Sequence, residues 1–258
     1  MRGLYGRPGG AKARLGVLVL GAAITATIAP VASHAEDPPD GVVAFSTARA
    51  GGSLPPPWTA FKINDRKVLT RYELVDDGGT VVLKAHAERA ASGIGHVAPA
   101  GWENLPMLQW RWKVSAALTG ADPADGAKED SPVRVLMEFD GDRSKLTFKE
   151  RTVDSVSEQL AGRPLPFATL MYIHAASVPV GTIVPNPHTK RIQMIVVASG
   201  NTAVGTWQTV TRNWRDDYQK AFGQPPGPLI KVGVMSDTDN TGETVDAWYG
   251  DIRLMPKP

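Results

Sequence analysis

The strongest constraint in this chain is the recurrence of short segments in which apolar and polar residues alternate, broken at fairly even intervals by Gly, Pro and Asp. Alternation with a period of two places residues i, i+2 and i+4 on one face of a strand. Lys67–Val75 and Thr80–Glu88 flank Asp76-Asp-Gly-Gly79, a hairpin signal with a loop of about four residues. Further candidate strands are Met107–Val114, Pro132–Phe139, Thr169–Ala175, Lys190–Ala198, Thr206–Arg212, Leu229–Ser236 and Val245–Leu254, with Val42–Ser46 ahead of them. So many short strands with few helical patterns predict an all-β fold, an antiparallel jelly-roll β-sandwich, rather than a parallel α/β sheet.

Two segments read as helices. Lys145–Leu160 carries Leu146, Val153, Val156 and Leu160 at helical intervals and is stopped by Gly162 and Pro164, and Arg215–Phe222 ends at Gly223 and Pro225. No repeat recurs, and Pro and Gly are spread along the chain rather than pooled, so residues 41–258 are expected to form one domain.

The first 35 residues read as an address. Arg2, Arg7, Lys12 and Arg14 precede the apolar run Leu15–Ile24, and Ser33-His34-Ala35 puts small residues where a signal peptidase reads. That is the pattern of a secretory signal peptide cleaved after Ala35, and the run falls short of the about 20 strongly apolar residues of a membrane span. Residues 36–40 then read as a short linker. The expected product is periplasmic or extracellular, with no membrane span after cleavage. Losing the leader removes four bases and no acids, leaving 24 bases against 26 acids. Such a balance gives no support for nucleic-acid binding.

Several chemistries are excluded. The chain has no cysteine, hence no disulfide, thiolate metal site, catalytic thiol or lipidated N-terminus. It has no Gly-x-Ser-x-Gly elbow and no phosphate-binding glycine loop between a strand and a helix. His86, His96, His174 and His188 form no zinc spacing.

What remains is a face. Leu108, Trp110, Trp112 and Val114 alternate with Gln109, Arg111 and Lys113, and this apolar side assigns both tryptophans to the core. Val133, Val135, Met137 and Phe139 alternate with Arg134, Leu136 and Glu138. Tyr172 and His174 alternate with Met171 and Ile173, and Asp246, Trp248 and Gly250 with Val245, Ala247 and Tyr249. Arg111, Arg134, Tyr172, His174 and Trp248 are the candidate ligand-binding residues of one polar, aromatic sheet face, suited to a glycan because an indole stacks on the apolar face of a sugar. Against this stands a solvated face with cross-strand charge pairs.

The densest polar cluster is Ser236-Asp-Thr-Asp-Asn-Thr-Gly-Glu243. Asp237, Asp239, Asn240 and Glu243 offer hard oxygen ligands, so Asp237, Asp239 and Glu243 are candidate ligands of a structural calcium, although the EF-hand template is not met. The same loop reads equally as a polar turn, or as the source of a general acid or base. In that last case the protein is a polysaccharide hydrolase or lyase using Asp239 or Glu243, assisted by Tyr172 or His174. A third reading is a structural envelope protein that docks a partner through the Lys145–Leu160 helix. No catalytic residue is assigned.

Leu108-Gln-Trp-Arg-Trp-Lys-Val114, Pro179-Val-Gly181, Asn186-Pro-His-Thr189, Asp217-Tyr218 through Ala221-Phe-Gly223, the Ser236–Glu243 segment and Trp248-Tyr-Gly-Asp-Ile252 together resemble the bacterial domain of unknown function 3047 family, over about Phe45–Leu254. The resemblance implies a secreted or periplasmic protein with a jelly-roll sandwich of the galactose-binding or carbohydrate-module type, and supplies no catalytic residue. Lys145–Arg163 reads as an insertion relative to that family, and His174 stands where a tryptophan is expected.

Overall fold

A computed structural model describes residues 41–162 and 164–258; the leader and the 36–40 linker lie outside the described residues. The chain folds as β1 Thr59–Lys62, β2 Arg71–Asp76, β3 Val81–Glu88, β4 Ala91–Val97, β5 Met107–Val114, β6 Ser131–Phe139, α1 Phe148–Ala161, β7 Ala168–Ala175, β8 Ile183–Pro185, β9 Ile192–Ser199, β10 Gln208–Asn213, α2 Trp214–Phe222, β11 Leu229–Asp237 and β12 Thr244–Met255. Seven strands pair in the order β1-β4-β11-β6-β7-β9-β8 and five in the order β10-β5-β12-β3-β2. From β9 onward each successive strand changes sheet, so β11 enters between β4 and β6 while β12 enters between β5 and β3. This is a jelly-roll β-sandwich. Among the described residues no helix is long and apolar enough to cross a membrane.

The core lies between the sheets. Leu108, Trp110, Trp112 and Val114 of β5 face Val133, Val135, Met137 and Phe139 of β6, with Tyr172, Val232, Val234 and Tyr249 in the same cluster. Each strand supplies every second residue, as the alternation requires. One pairing departs from the antiparallel expectation: β7 and β9 are parallel. The reason is local, because β8 runs antiparallel to β9 at the sheet edge and turns the chain back between itself and β7.

Two further expectations are corrected. Val42–Ser46 is not a strand; Phe45–Thr47 forms a 3-10 turn, and the alternation there reflects Phe45 inserting fully buried against Trp58, ring centroids 4.7 Å apart. The helix expected from Lys145 starts at Phe148. Thr147 caps it, its Oγ1 accepting from the Glu150 amide while the Glu150 carboxylate accepts from the Thr147 amide. Gly162, at φ 71°, ends it in the left-handed conformation that glycine adopts freely.

Strand β4 lacks a sequence signal because its outer face carries Ala91, Gly93 and Gly95 before Val97. Gly93 lies opposite Phe61, and a Cβ there would meet the Phe61 ring and approach the Val234 carbonyl to 2.7 Å. Gly93→Ala is therefore expected to destabilise the fold by about 1–3 kcal/mol, the usual cost of overpacking, read as a lowered thermal midpoint with an unchanged far-ultraviolet dichroism spectrum.

Candidate functional site

The polar faces of the strands do not converge. Arg111 and Trp248 lie on the outer face of the five-stranded sheet, whereas Arg134 and the Asp237–Glu243 connector lie on the outer side of the seven-stranded sheet. The single face expected from alternation is two faces, on opposite sides of the sandwich.

On the five-stranded sheet, β12 carries Trp248 outward between the buried Ala247 and Tyr249, and β5 carries Lys113 outward between Trp112 and Val114. Trp248 pairs across the sheet with Lys113 on one side and Lys84 on the other. The Lys113 ammonium sits 4.6 Å from the Trp248 ring centre and 5.2 Å from that of Trp207, the residue immediately before β10. Because β5 is the one strand between β10 and β12, the two indoles stand about 10 Å apart, twice the inter-strand spacing. Both are half-buried. The Arg111 guanidinium lies 4.5 Å from the Trp207 ring centre.

Asp77 pins this row. Its carboxylate accepts from Lys113 Nζ at 2.8 and 3.0 Å and from Trp207 Nε1 at 2.7 Å. Those hydrogen bonds hold its carboxyl below the ordinary aspartate value. A carboxyl depressed in the folded state stabilises above its unfolded value, about pH 3.9, and the contribution fades as pH falls through the folded one. The gap in thermal midpoint between wild type and Asp77→Asn is expected to be constant above about pH 5 and to close in stronger acid. At the other end of the row, burial alone would raise Asp246, but hydrogen bonding from His86 at 2.7 Å and the charge of Lys84 hold it down.

The opposite face holds a cleft of about 310 Å³ walled by Val153 of α1, Leu165, Ile192 and His188. Helix α1 is fastened there through Asp154, which accepts from Arg143 and Arg191. Pro164 and Pro166 line an adjoining hollow, and Pro185 and Pro187 another. In the floor sits Arg134, 2% exposed. Its Nε and Nη2 donate to Asp237 at 2.9 and 3.0 Å and its Nη1 to Glu129 at 3.1 Å. Burial pushes the Asp237 carboxyl up to about 6 against the pull of Arg134, while Asp237 and Glu129 raise Arg134 against its own burial. At pH 7 the pair is ionised.

The cation-ligand set expected in the connector changes membership. Asp130, Asp237 and Asp239 offer oxygens within 4.8 Å of one another. Glu243 is not among them; its carboxylate accepts from the amides of Thr119 and Gly120, at 3.3 and 3.0 Å. The three converging carboxylates are already engaged, Asp237 by Arg134, Asp239 by Lys67, and Asp130 by the amides of Asn240 and Thr241. Asn240 donates to the Gly126 carbonyl at 3.1 Å, which ties the connector to the loop before β6.

Tyr172 and His174 are not surface residues. Tyr172 faces the core, tilted against Trp110 with centroids 4.9 Å apart, and its hydroxyl donates to Asp217 at 2.9 Å. His174 is 2% exposed, and burial lowers its pKa. Alternation pairs the two correctly but does not say which side of β7 is inward, and both sides of that strand are buried. Asp217, an acid in the first turn of α2, is also the buried acceptor for Tyr172 and Arg212.

Trp207, Lys113 and Asp77 carry no expected role in the sequence, although the alternation of Trp207, Thr209 and Thr211 was a signal for the first. Glu129 and Asp130 directly precede β6 and Arg134 but lie far in sequence from the connector, and Lys67 is 172 residues from Asp239, so no local pattern joins them to Asp237 or Asp239.

A two-sheet jelly roll with an indole pair on one outer face and a buried arginine–carboxylate cluster beneath the other defines the class. The chain belongs to the family of proteins of unknown function DUF3047, whose family model matches residues 56–253. A comparison with curated proteins finds no match. Among solved structures, the chain is similar to the family 11 carbohydrate-binding module of the cellulosomal cellulase Lic26A-Cel5E of Clostridium thermocellum, at 9% identity and a TM-score of 0.40, covering 81% of this chain and 92% of that one. It is also similar to the xyloglucanase domain of NopAA from Sinorhizobium fredii, at 9% identity and a TM-score of 0.36, over 81% and 91% of the two chains. An exo-β-agarase is similar at 10% identity and a TM-score of 0.36 over 86% of this chain, which spans 25% of that longer one.

Proposed function

We propose that the protein is a secreted glycan-binding module whose ligand lies across the outer face of the five-stranded sheet. The observation that carries this reading is the pair of half-buried indoles, Trp207 and Trp248, held about 10 Å apart on the two sides of β5 with Lys113 between them. A sugar ring has an apolar C–H face and a polar edge. Indole rings supply the surface for the first, and Lys113, Arg111 and Gln109 supply donors for the hydroxyls of the second. A rigid sheet holding them in place lowers the ordering cost of binding. The basic, apolar, small-residue leader of residues 1–35 supports a location outside the cytoplasm.

The hydrolytic reading has less support. Its assisting residues, Tyr172 and His174, are inside the sandwich, and its carboxylates on Asp239 and Glu243 are bound to Lys67 and to loop amides. The partner-docking reading asked for an apolar stripe on α1. Phe148 and Val156 are exposed there, but eight residues place them about 80° apart around the axis, with the polar Thr152 between.

The test is affinity electrophoresis of the purified protein through gels containing neutral and acidic polysaccharides. Retardation by at least one polysaccharide is expected, and unchanged mobility in every gel would refute the reading.

A further inference from the structure

We infer that the glycan bound by this face is acidic, and that its carboxylate or sulfate group is received by Arg111 and Arg253 in a pocket beside Trp207; the inference rests on the glycan-binding reading of the same face. The pocket has a volume of about 340 Å³ and is lined by Arg111, Arg253, Gln109, Thr80, Thr209 and Asp251 among others. It sits at a break in the β5–β12 ladder. Trp112 pairs with Tyr249 and Trp110 with Ile252, so Gly250 and Asp251 together oppose Arg111. A bulge of this kind re-aims side chains at a sheet surface.

Three consequences of that bulge build an anion site. First, Gly250 is the seat of Arg111: a Cβ on Gly250 would fall on the Arg111 side chain, 2.5 Å from its Cγ. A side chain at position 250 would push Arg111 out of the position in which its guanidinium meets the Trp207 ring. Second, Arg253 pairs with Gln109 on β5, two residues from Arg111 on the same face, so the guanidiniums are diagonal cross-strand neighbours within reach of one ligand group. Third, the pocket's carboxylate is turned toward Ser46 and forms no ion pair with either arginine. Asp251 accepts from the Ser46 amide at 3.0 Å and from the Ser46 hydroxyl at 2.6 Å.

Among the described residues, neither Arg111 nor Arg253 has a carboxylate partner, in contrast to Arg134, Arg143, Arg191 and Arg212. The guanidinium of Arg111 or Arg253, a planar fork of donors in no salt bridge, matches a carboxylate or sulfate in a bidentate way. The adjoining indole restricts the carrier of that anion to something with a flat apolar face, which a sugar acid has.

The experiment compares the protein's binding to polygalacturonate with binding to the same polymer after carboxyl reduction, by titration calorimetry at low and moderate salt. The variants are Arg111→Gln/Arg253→Gln, Gly250→Ala and Trp207→Ala/Trp248→Ala, with polyphosphate as a control polyanion. The expected result is at least tenfold tighter binding of the acidic polymer, weakening with salt. That preference should be lost in the double-arginine variant and reduced in Gly250→Ala, which has an ordinary backbone conformation and should keep the wild-type thermal midpoint within a few degrees. Equal binding of acidic and neutral polymer, or a preference that survives Arg111→Gln/Arg253→Gln, would overturn the acidic ligand while leaving glycan binding in place. Binding of polyphosphate as tight as polygalacturonate, unaffected by loss of both tryptophans, would overturn the glycan reading and leave a general polyanion site. Binding to none of the three overturns the acidic ligand, and overturns the glycan reading as well when mobility is also unchanged in every polysaccharide gel.

Discussion

Arg134→Met should cost about 3–5 kcal/mol of stability, the largest effect expected of any single substitution discussed for this protein. Removing one partner of a buried ion pair leaves the other uncompensated. Here that other is Asp237, 5% exposed and within 4.8 Å of the oxygens of Asp130 and Asp239. In a domain of this size each kcal/mol shifts the thermal midpoint by about 2–4 °C, so a fall on the order of 10 °C is expected. Methionine suits the space, because the Arg134 guanidinium already contacts the sulfurs of Met171 and Met194 at 3.8 and 3.4 Å; the loss is then one of charge rather than volume.

Two controls separate the electrostatic cause from packing. With Arg134 gone, the main opposition to the burial that raises Asp237 is lost, so its folded value should lie further above the unfolded value of about 3.9. A raised carboxyl favours the fold below its pKa and loses that advantage as pH rises through it. Arg134→Met should therefore be less destabilising at pH 5 than at pH 8. Adding Asp237→Asn, whose amide oxygen can still accept from the Ser131 amide as Asp237 does at 2.9 Å, should restore part of the lost midpoint at pH 8. A midpoint that is unchanged by pH and by the second substitution would mean that the pair is a packing feature alone.

The second large effect concerns binding. Trp207→Ala/Trp248→Ala should weaken glycan affinity by about a hundredfold. Each indole contributes on the order of 1–2 kcal/mol through apolar burial and face-on contact, and 1.4 kcal/mol is a factor of ten in affinity. Trp248→Ala also removes one of the two rings that hold the Lys113 ammonium. Both rings stand on the outer face and are half-buried, so the thermal midpoint should move by only a few degrees. Calorimetric titration of the double variant measures the first quantity and a thermal melt the second. Wild-type affinity in a folded double variant would show that the indole pair is not the binding surface.

The same comparison shows where sequence reasoning was sufficient. Period-two alternation is a property of each strand alone. It placed Trp110, Trp112, Val133 and Val135 inward and Arg111, Trp248 and Arg134 outward, and all seven lie so. It failed where the pattern is weak for a physical reason. In β4 the two central outer residues, Gly93 and Gly95, are glycines because Phe61 and the Lys231 stem fill the space that side chains would take. At Phe45 the apolar signal came from a plug rather than a strand.

Local patterning thus determined the layered fold, most of its strands and, for strands buried on one side alone, which side is inner. It could not say which sheet a strand joins, because pairing partners lie up to some 160 residues apart, as Asp246 and His86 do. Arg111 and Arg134 look alike in sequence, each an arginine flanked by core residues. Tertiary structure laid the first on a half-exposed sheet beside Trp207 and buried the second beneath α1 and the connector, paired with Asp237. Whether an outward-facing arginine greets a ligand or neutralises a buried acid depends on what packs over its strand, and that covering comes from parts of the chain that no local pattern links to it.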